Sequence, residues 1–147
     1  AKINSLNFNV YLCDTFEGVV KASKYDNVYI NKEHDDTSVE IATELIDKLN
    51  LKENVKILKG IFPDQTGNQL KNNKFKFCHI DVDVYESAKS IVDWIWDKMV
   101  VGGVIVFDDF GFKSMQGITI FVESQRLKSD RIVIHNLNGH GIIIRTK

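Results

Sequence analysis

Two segments of the sequence each place a pair of aspartates at the end of an apolar run. Asp81 and Asp83 lie in HIDVDVYES, and Asp108 and Asp109 lie in VIVFDDF. An ionised carboxylate is costly to desolvate among apolar neighbours. Carboxylates a few ångströms apart also repel each other strongly unless a cation lies between them. The two segments therefore suggest one shared cation site, provided that their ends meet in space.

The residue types at these positions also indicate which cation would bind. All-oxygen ligand sets suit Mg²⁺, Ca²⁺ or Mn²⁺, whereas zinc more often recruits histidine or cysteine. His79 precedes the first acids by an even count and so shares their face of an extended strand; packing, a substrate contact and a supporting donor all remain open for it. Capping of the following turn is the alternative interpretation of Asp108 and Asp109, because aspartate is favoured there.

The elements that position these acids alternate between strands and helices. Val/Ile-rich strands that alternate with amphipathic helices indicate an α/β fold with an open, mostly parallel sheet and helices on both faces. Segment 27–30 is ambiguous, and segment 67–73 is expected to form one or two helical turns. The last two strands flank the turn NGHG and predict an antiparallel pair at the C-terminal edge. The predicted strands are 10–16, 54–62, 74–85, 102–110, 131–137 and 141–147, and the predicted helices are 37–51, 86–100 and 114–127.

This topology predicts that the acids converge. Ligands of open parallel sheets bind beyond the carboxyl ends of the strands, where Asp14, Asp81 and Asp109 all lie. One helix connects the strands that end at Asp81 and Asp109, and such crossovers usually join neighbouring strands, about 4.8 Å apart. Carboxylates from both strands are therefore expected to reach one divalent ion.

Other polar groups are given structural interpretations. Thr37 and Glu40 form a capping-box pair, so HDDTS is typical of a helix start rather than of a ligand set. His135 and His140 flank the predicted turn, where the spacing gives a metal role little support.

Composition limits the classes of function. The chain has 147 residues, 44% of them apolar and 27% charged, with a formal net charge of -1. This is typical of a single globular domain, 1–147, and it argues against nucleic acid as a partner. No apolar run approaches the roughly 20 residues that span a bilayer, and the first residues lack the apolar core of a signal peptide. Cys13 and Cys78 lie in apolar runs, which predicts reduced core thiols in a cytoplasmic protein.

Five motifs occur in one order along the chain: LCDTFEGVV, ILKGIFPDQ, HIDVDVYES, GGVIVFDDFG and NGHGIIIR. In this order they resemble the macrocin O-methyltransferase family, over nearly the whole chain from residue 10. Members of that family are enzymes that depend on S-adenosyl-L-methionine and Mg²⁺ and methylate sugar hydroxyls of macrolides and related natural products. The resemblance implies a Rossmann-like class I methyltransferase fold and a sugar-containing small molecule as acceptor.

The resemblance also implies roles for individual residues. Asp83 is implied as the general base, and Asp14 as the acid that hydrogen-bonds the cofactor near its ribose. Phe16, Glu17 and Gly18 follow Asp14 in the motif and are expected to line the same pocket. The implied ligands of Mg²⁺, or of another hard divalent cation, are Asp81, Asp108 and Asp109.

The sequence departs from the family pattern at its start. Class I methyltransferases begin with a strand and a glycine-rich turn that holds the methionine part of the cofactor, yet the first glycine of this chain is Gly18. In the family that strand lies between the strands that end here at Asp14 and Asp81, so two unpaired inner edges are expected. The sequence is then part of a longer enzyme, or a partner or exchanged segment fills the gap, or the half-sheets close directly.

Three functions remain open at this point. The first is an O-methyltransferase, or a fragment of one, that acts on a sugar hydroxyl. Assembly into a homo-oligomer is also left open. The second is a degenerate, non-catalytic domain that binds a metal, a glycan or a protein. The third takes DVD as the metal-nucleotide motif of a glycosyltransferase, which leaves FDDF and DTFEG unexplained.

Overall fold

A computed structural model describes residues 9–147, and its order of elements confirms the α/β alternation. Short 3₁₀ turns at Gly67–Leu70 and Trp96–Lys98 connect neighbouring elements. No helix in this part of the chain is long and apolar enough to cross a membrane. The strands are β1 (Val10–Asp14), β2 (Val55–Lys59), β3 (Phe75–Ile80), β4 (Met99–Phe107), β5 (Arg131–His135) and β6 (Gly141–Arg145), and the helices are α1 (Val39–Lys48), α2 (Tyr85–Ile95) and α3 (Gln116–Gln125).

The strands form two sheets. β1 pairs with β2 in parallel, and the second sheet has the order β3-β4-β6-β5. In the second sheet β3 and β4 are parallel, while β6 is antiparallel to both β4 and β5. The predicted antiparallel pair at the C-terminal edge is therefore confirmed.

The two sheets face each other through unpaired edges. Within residues 9–147, β1 pairs only with β2 and β3 only with β4, as expected for a sheet that lacks a strand between them. The Asn73 amide nitrogen donates to the Tyr11 hydroxyl at 3.0 Å across this gap. Cys13 on β1 and Cys78 on β3 are free thiols. Burial raises the pKa of Cys78 to about 12, and the nearby Cys13 adds to the rise.

The core lies on one face of the four-stranded sheet, against α2 and α3. Ile105, Phe107 and Ile143 point to this face and are fully buried, because alternate residues of a strand share one side. Three inward positions predicted for the second helix are confirmed, because Ala88, Ile91 and Ile95 are buried on α2. Met99 is buried as predicted, but it is the first residue of β4 rather than part of the helix.

Other apolar surfaces remain exposed. No residue of α1 is buried, and its apolar side chains Ile41 and Leu45 are more than half exposed. On the sheet face opposite the core, Phe77, Ile132 and Ile134 are exposed too. The described part of the chain thus leaves two apolar surfaces without cover.

Several predicted boundaries are corrected. The N-cap of α1 is Ser38, whose hydroxyl accepts a hydrogen bond from the Ile41 amide at 3.3 Å, so the predicted capping box from Thr37 is wrong. α2 ends at Ile95 rather than at residue 100, because the chain must reverse there to enter β4 at Met99. β3 ends at Ile80 rather than at residue 85, so Asp81 and Asp83 lie in the loop after the strand and not within the sheet.

Candidate metal and cofactor site

The acidic ends of two strands meet, as the topology predicted. Asp81 and Asp83 follow β3, and Asp109 follows β4. One carboxylate oxygen from each of the three lies within 4.8 Å of the others. A hydrogen bond from the Asp108 amide to the Ile80 carbonyl, 3.0 Å long, continues the β3–β4 pairing beyond the strands and holds the two ends together.

The backbone at two of these acids is left-handed. Asp83 has φ = 62° and Asp109 has φ = 58°. This region is sparsely populated by residues with a side chain, although aspartate and asparagine enter it more readily than most. Each carboxylate therefore leaves its strand end through a sharp backbone turn, an arrangement that is common at functional sites.

The site concentrates negative charge. Burial raises the pKa of Asp83 to about 6, and the charges of Asp81 and Asp109 add to the rise while His34 opposes it. Burial also raises the pKa of Asp81, with Asp108 and Asp109 adding, and His79 and His34 opposing. His79 is exposed, so the interpretation of it as a packed core residue is wrong.

The donor set fits a hard divalent cation. Its three converging carboxylates offer only oxygen, the ligand that Mg²⁺, Ca²⁺ and Mn²⁺ prefer. Cation binding requires the carboxylates to be ionised, and it offsets the repulsion among their charges, which adds to the effect of burial on the pKa values of Asp81 and Asp83. The residues present are thus suited to hold such an ion.

Asp108 lies beside this cluster and makes different contacts. Its Oδ1 accepts a hydrogen bond from the Asp109 amide at 3.0 Å and lies 3.3 Å from Nε2 of His140. Its charge adds to the rise in the pKa of Asp81. The geometry therefore groups Asp83 with Asp81 and Asp109, and the assignments of Asp108 as a ligand and Asp83 as a base stay predictions.

Two of the four predicted cofactor residues line a cavity between the sheets. Asp14 and Gly18 border this cavity, of about 130 Å³, together with Asp81 and Asp83. Gly18 has φ = 82°, and a Cβ there would lie 2.5 Å from the Glu33 carbonyl oxygen, so no larger residue fits.

Phe16 and Glu17 are not among the residues that border the cavity. The Phe16 amide donates to Oδ1 of Asp14 at 2.6 Å, which fixes the turn after β1. Glu17 is exposed and lies 3.7 Å from the Lys59 ammonium group. Ligand pockets usually enclose about 300–1,000 Å³. The cavity of about 130 Å³ is smaller than this range, so the described residues form only part of a pocket for a ligand as large as S-adenosyl-L-methionine.

The sequence analysis missed two residues of the site, Tyr29 and His34. The Tyr29 hydroxyl lies 3.0 Å from Nε2 of His34, and His34 borders the cavity with Asp81 and Asp83. Burial raises the pKa of Tyr29, and the charges of Asp83 and Asp109 add to the rise. The predicted capping role for HDDTS directed attention away from His34.

Long-range contacts hold the loop that carries these residues, so no local pattern could reveal them. Oδ1 of Asp26 accepts a hydrogen bond from the Tyr85 amide at 2.9 Å, at the start of α2. The Ser87 hydroxyl donates to the Val20 carbonyl at 2.7 Å. The loop between β1 and α1 is thereby fixed to the helix that follows Asp83.

The raised pKa of Asp83 predicts a pH-dependent cost in stability. Because its pKa is about 6 in the folded protein and 3.8 ordinarily, the unfolded chain releases this proton first, and stability falls as pH rises from about 4 to 7. Asparagine cannot titrate. With EDTA present, we expect Asp83→Asn and the unmodified protein to melt alike near pH 4, and the variant to melt at the higher temperature near pH 7.5. A melting difference that does not change with pH would contradict this prediction.

A protein-family model described as Macrocin-O-methyltransferase (TylF) matches residues 1–144. Among curated proteins, no sequence matches the chain significantly. The family match spans every residue of the site described above.

Solved methyltransferases share the fold. The calicheamicin methyltransferase CalS11 has 15% identity and a TM-score of 0.74, over 93% of this chain and 60% of that chain. The O-methyltransferase NovP has 17% identity and a TM-score of 0.64, and the match covers 99% of this chain and 63% of NovP. An O-methyltransferase from Bacillus cereus, solved in complex with SAH, has 19% identity and a TM-score of 0.58. The match covers 93% of this chain and 73% of the Bacillus cereus enzyme. The chain therefore has the class I methyltransferase fold and spans about three fifths of the length of the first two structures.

Proposed function

Because the chain belongs to the macrocin O-methyltransferase family, we propose that it takes part in methyl transfer from S-adenosyl-L-methionine to a hydroxyl of a sugar or glycosylated natural product, with Mg²⁺ as cofactor. The observation that supports this most strongly is the convergence of carboxylates from two strand ends within 4.8 Å, beside a cavity that Asp14 borders. The free thiols Cys13 and Cys78 agree with a cytoplasmic setting.

The chemistry follows from the donor set. Asp81 and Asp109, with Asp108 beside them, would hold the cation, which lowers the pKa of a bound hydroxyl and orients it. Asp83 lies within reach of the same position and accepts the hydroxyl proton as general base. Without a cation its pKa is about 6, so Asp83 is mostly ionised at neutral pH and able to accept a proton. The remaining task is alignment of the acceptor oxygen with the methyl group.

The acceptor is bound, in this proposal, against the loop between β1 and α1. His34 and Tyr29 stand next to the carboxylates and offer ring faces and polar atoms, which suit a sugar that has both apolar and hydroxyl-bearing sides. Asp14 would accept hydrogen bonds from the ribose of the cofactor. Acceptor and cofactor then meet at the ends of β1 and β3.

A further strand is proposed to complete the cofactor site. The edges of β1 and β3 are unpaired in the described part of the chain, and the cavity between them is small. The exposed apolar residues of α1 and of the open sheet face would be covered by helices that accompany such a strand. Another segment, or a partner chain such as a second copy, would provide it.

Calorimetric titration with S-adenosylhomocysteine, with and without Mg²⁺, tests the proposed function. We expect saturable binding by the unmodified protein and binding at least about tenfold weaker by Asp14→Asn, because a hydrogen bond to a charged acceptor contributes about 1.5–3 kcal/mol. Asparagine keeps an oxygen for the Phe16 amide, so the turn is preserved. The matched control is Asp64→Asn, whose carboxylate pairs instead with Lys21.

Two outcomes would contradict the proposal. Binding of a sugar nucleotide but not of S-adenosylhomocysteine would indicate a glycosyltransferase. A folded protein that binds Mg²⁺ but no S-adenosylhomocysteine would indicate a non-catalytic relative, for which the small cavity is the supporting observation.

A further inference from the structure

The turn between β5 and β6 is held by one side chain. Oδ1 of Asn136 accepts hydrogen bonds from the amides of Asn138 at 2.9 Å and His140 at 3.0 Å. Gly139 has φ = 86°, and a Cβ there would overlap the ring of Phe112. The conformation of the turn and the position of His140 are thereby fixed.

The same side chain determines the tautomer of the neutral imidazole. Because Oδ1 of Asn136 faces two amide donors, its Nδ2 is the atom that lies 2.9 Å from Nδ1 of His140. An amide nitrogen can only donate, so Nδ1 must accept. The ring proton of neutral His140 is then on Nε2.

The nitrogen that carries this proton lies next to the acidic site. Nε2 of His140 lies 3.3 Å from Oδ1 of Asp108, which also accepts from the Asp109 amide. The Asp109 amide and the His140 ring therefore lie at the same oxygen, and Oδ2 of Asp108 accepts no hydrogen bond from the residues that the structure describes.

We propose that His140 is a positioning residue that, oriented by Asn136, holds Oδ1 of Asp108 and so leaves Oδ2 to bind a divalent cation. This rests on the proposed function, in which Asp108 joins Asp81 and Asp109 at the metal. Partners that orient a ligating carboxylate typically change metal affinity 10–100-fold. The sequence analysis gave this histidine no role because the turn that carries it lies about 30 residues along the chain from Asp108, the aspartate that it contacts.

Mn²⁺ titration, followed by calorimetry and by the electron paramagnetic resonance signal of free Mn²⁺, tests the assignment without an activity assay. We expect His140→Ala to bind Mn²⁺ about tenfold more weakly, and His140→Gln to recover most of the affinity because its amide can donate from nearly the position of Nε2. His135→Ala is the matched control: His135 lies in the same hairpin and packs against Phe110 instead. The ¹⁵N shifts of His140 in the unmodified protein should show a protonated Nε2 and an unprotonated Nδ1.

Each outcome has one meaning. Equal Mn²⁺ affinity in folded His140→Ala and unmodified protein overturns the inference and leaves the proposed function standing. Equal losses in the His140→Ala and His135→Ala variants overturn it as well, because packing of the turn would then be the cause. A neutral His140 protonated on Nδ1 also overturns it. Absence of Mn²⁺ binding by the unmodified protein overturns both this inference and the proposed metal site.

Discussion

Asp109→Asn is expected to remove Mn²⁺ and Mg²⁺ binding, with a loss in affinity of at least about 100-fold. Asp109 belongs both to the ligand set that the resemblance implies and to the cluster of carboxylate oxygens in the structure. Because loss of a supporting partner alone costs about 10–100-fold, loss of a direct charged ligand should cost more. Asparagine tolerates the left-handed backbone at this position, so the fold should survive.

Isothermal titration with each cation measures this effect, and Asp97→Asn provides the control. Asp97 is an exposed acid in the connection from α2 to β4, and its loss changes the net charge equally. If Asp109→Asn bound Mg²⁺ as the unmodified protein does, the ligand set would be wrong. If both variants weakened binding to the same small degree, the effect would be one of net charge rather than of coordination.

The convergence of the aspartates could be predicted from the sequence because it follows from topology. Asp81 and Asp109 end strands joined by a single helix, and a crossover of this kind leaves few places for the second strand. The core face of α2 was predictable for a similar reason, since the spacing of Ala88, Ile91 and Ile95 fits one side of a helix. The length of the connection between β3 and β4 and the spacing of apolar residues in α2 can both be read from short stretches of sequence. They were therefore enough to predict where the aspartates converge and which face of α2 is buried.

The surroundings of the aspartates were not predictable in this way. His34 and Tyr29 reach the site on a loop that Asp26 fixes to the first turn of α2, some 60 residues away in sequence. His140 reaches it through a turn between two antiparallel strands. Neither position is marked by a repeat or a spacing, because side chains on loops are placed by contacts that the sequence alone does not reveal.

The N-cap of α1 is a second feature that the sequence alone could not predict. Thr37 and Ser38 are both good caps, and a pattern alone cannot choose between them. The structure selects Ser38, whose extended backbone brings its hydroxyl to the Ile41 amide. Sequence patterns therefore predict that a helix begins here, while the backbone conformation at residue 38 decides which of the two residues caps it.

Asp83→Asn is expected to separate catalysis from metal binding. If Asp83 is the general base, the variant should lose about 10²–10⁴-fold in kcat for methyl transfer while its Mn²⁺ affinity stays within about threefold. Asparagine can adopt the left-handed backbone at this position, so the neighbouring ligands should not move. Initial rates with S-adenosyl-L-methionine and a sugar-containing acceptor, together with Mn²⁺ titration, measure both effects.

The contrary result is informative because the oxygens of Asp83 lie as close to Asp81 and Asp109 as a ligand would. If Asp83→Asn lost Mn²⁺ as completely as Asp109→Asn, Asp83 would be a ligand, and Asp108→Asn should then retain the metal. If Asp108→Asn lost the metal and Asp83→Asn kept it, the base and ligand roles would stand as the resemblance implies. The two Mn²⁺ titrations thus decide which of the two acids binds the cation, and neither titration depends on knowing the acceptor.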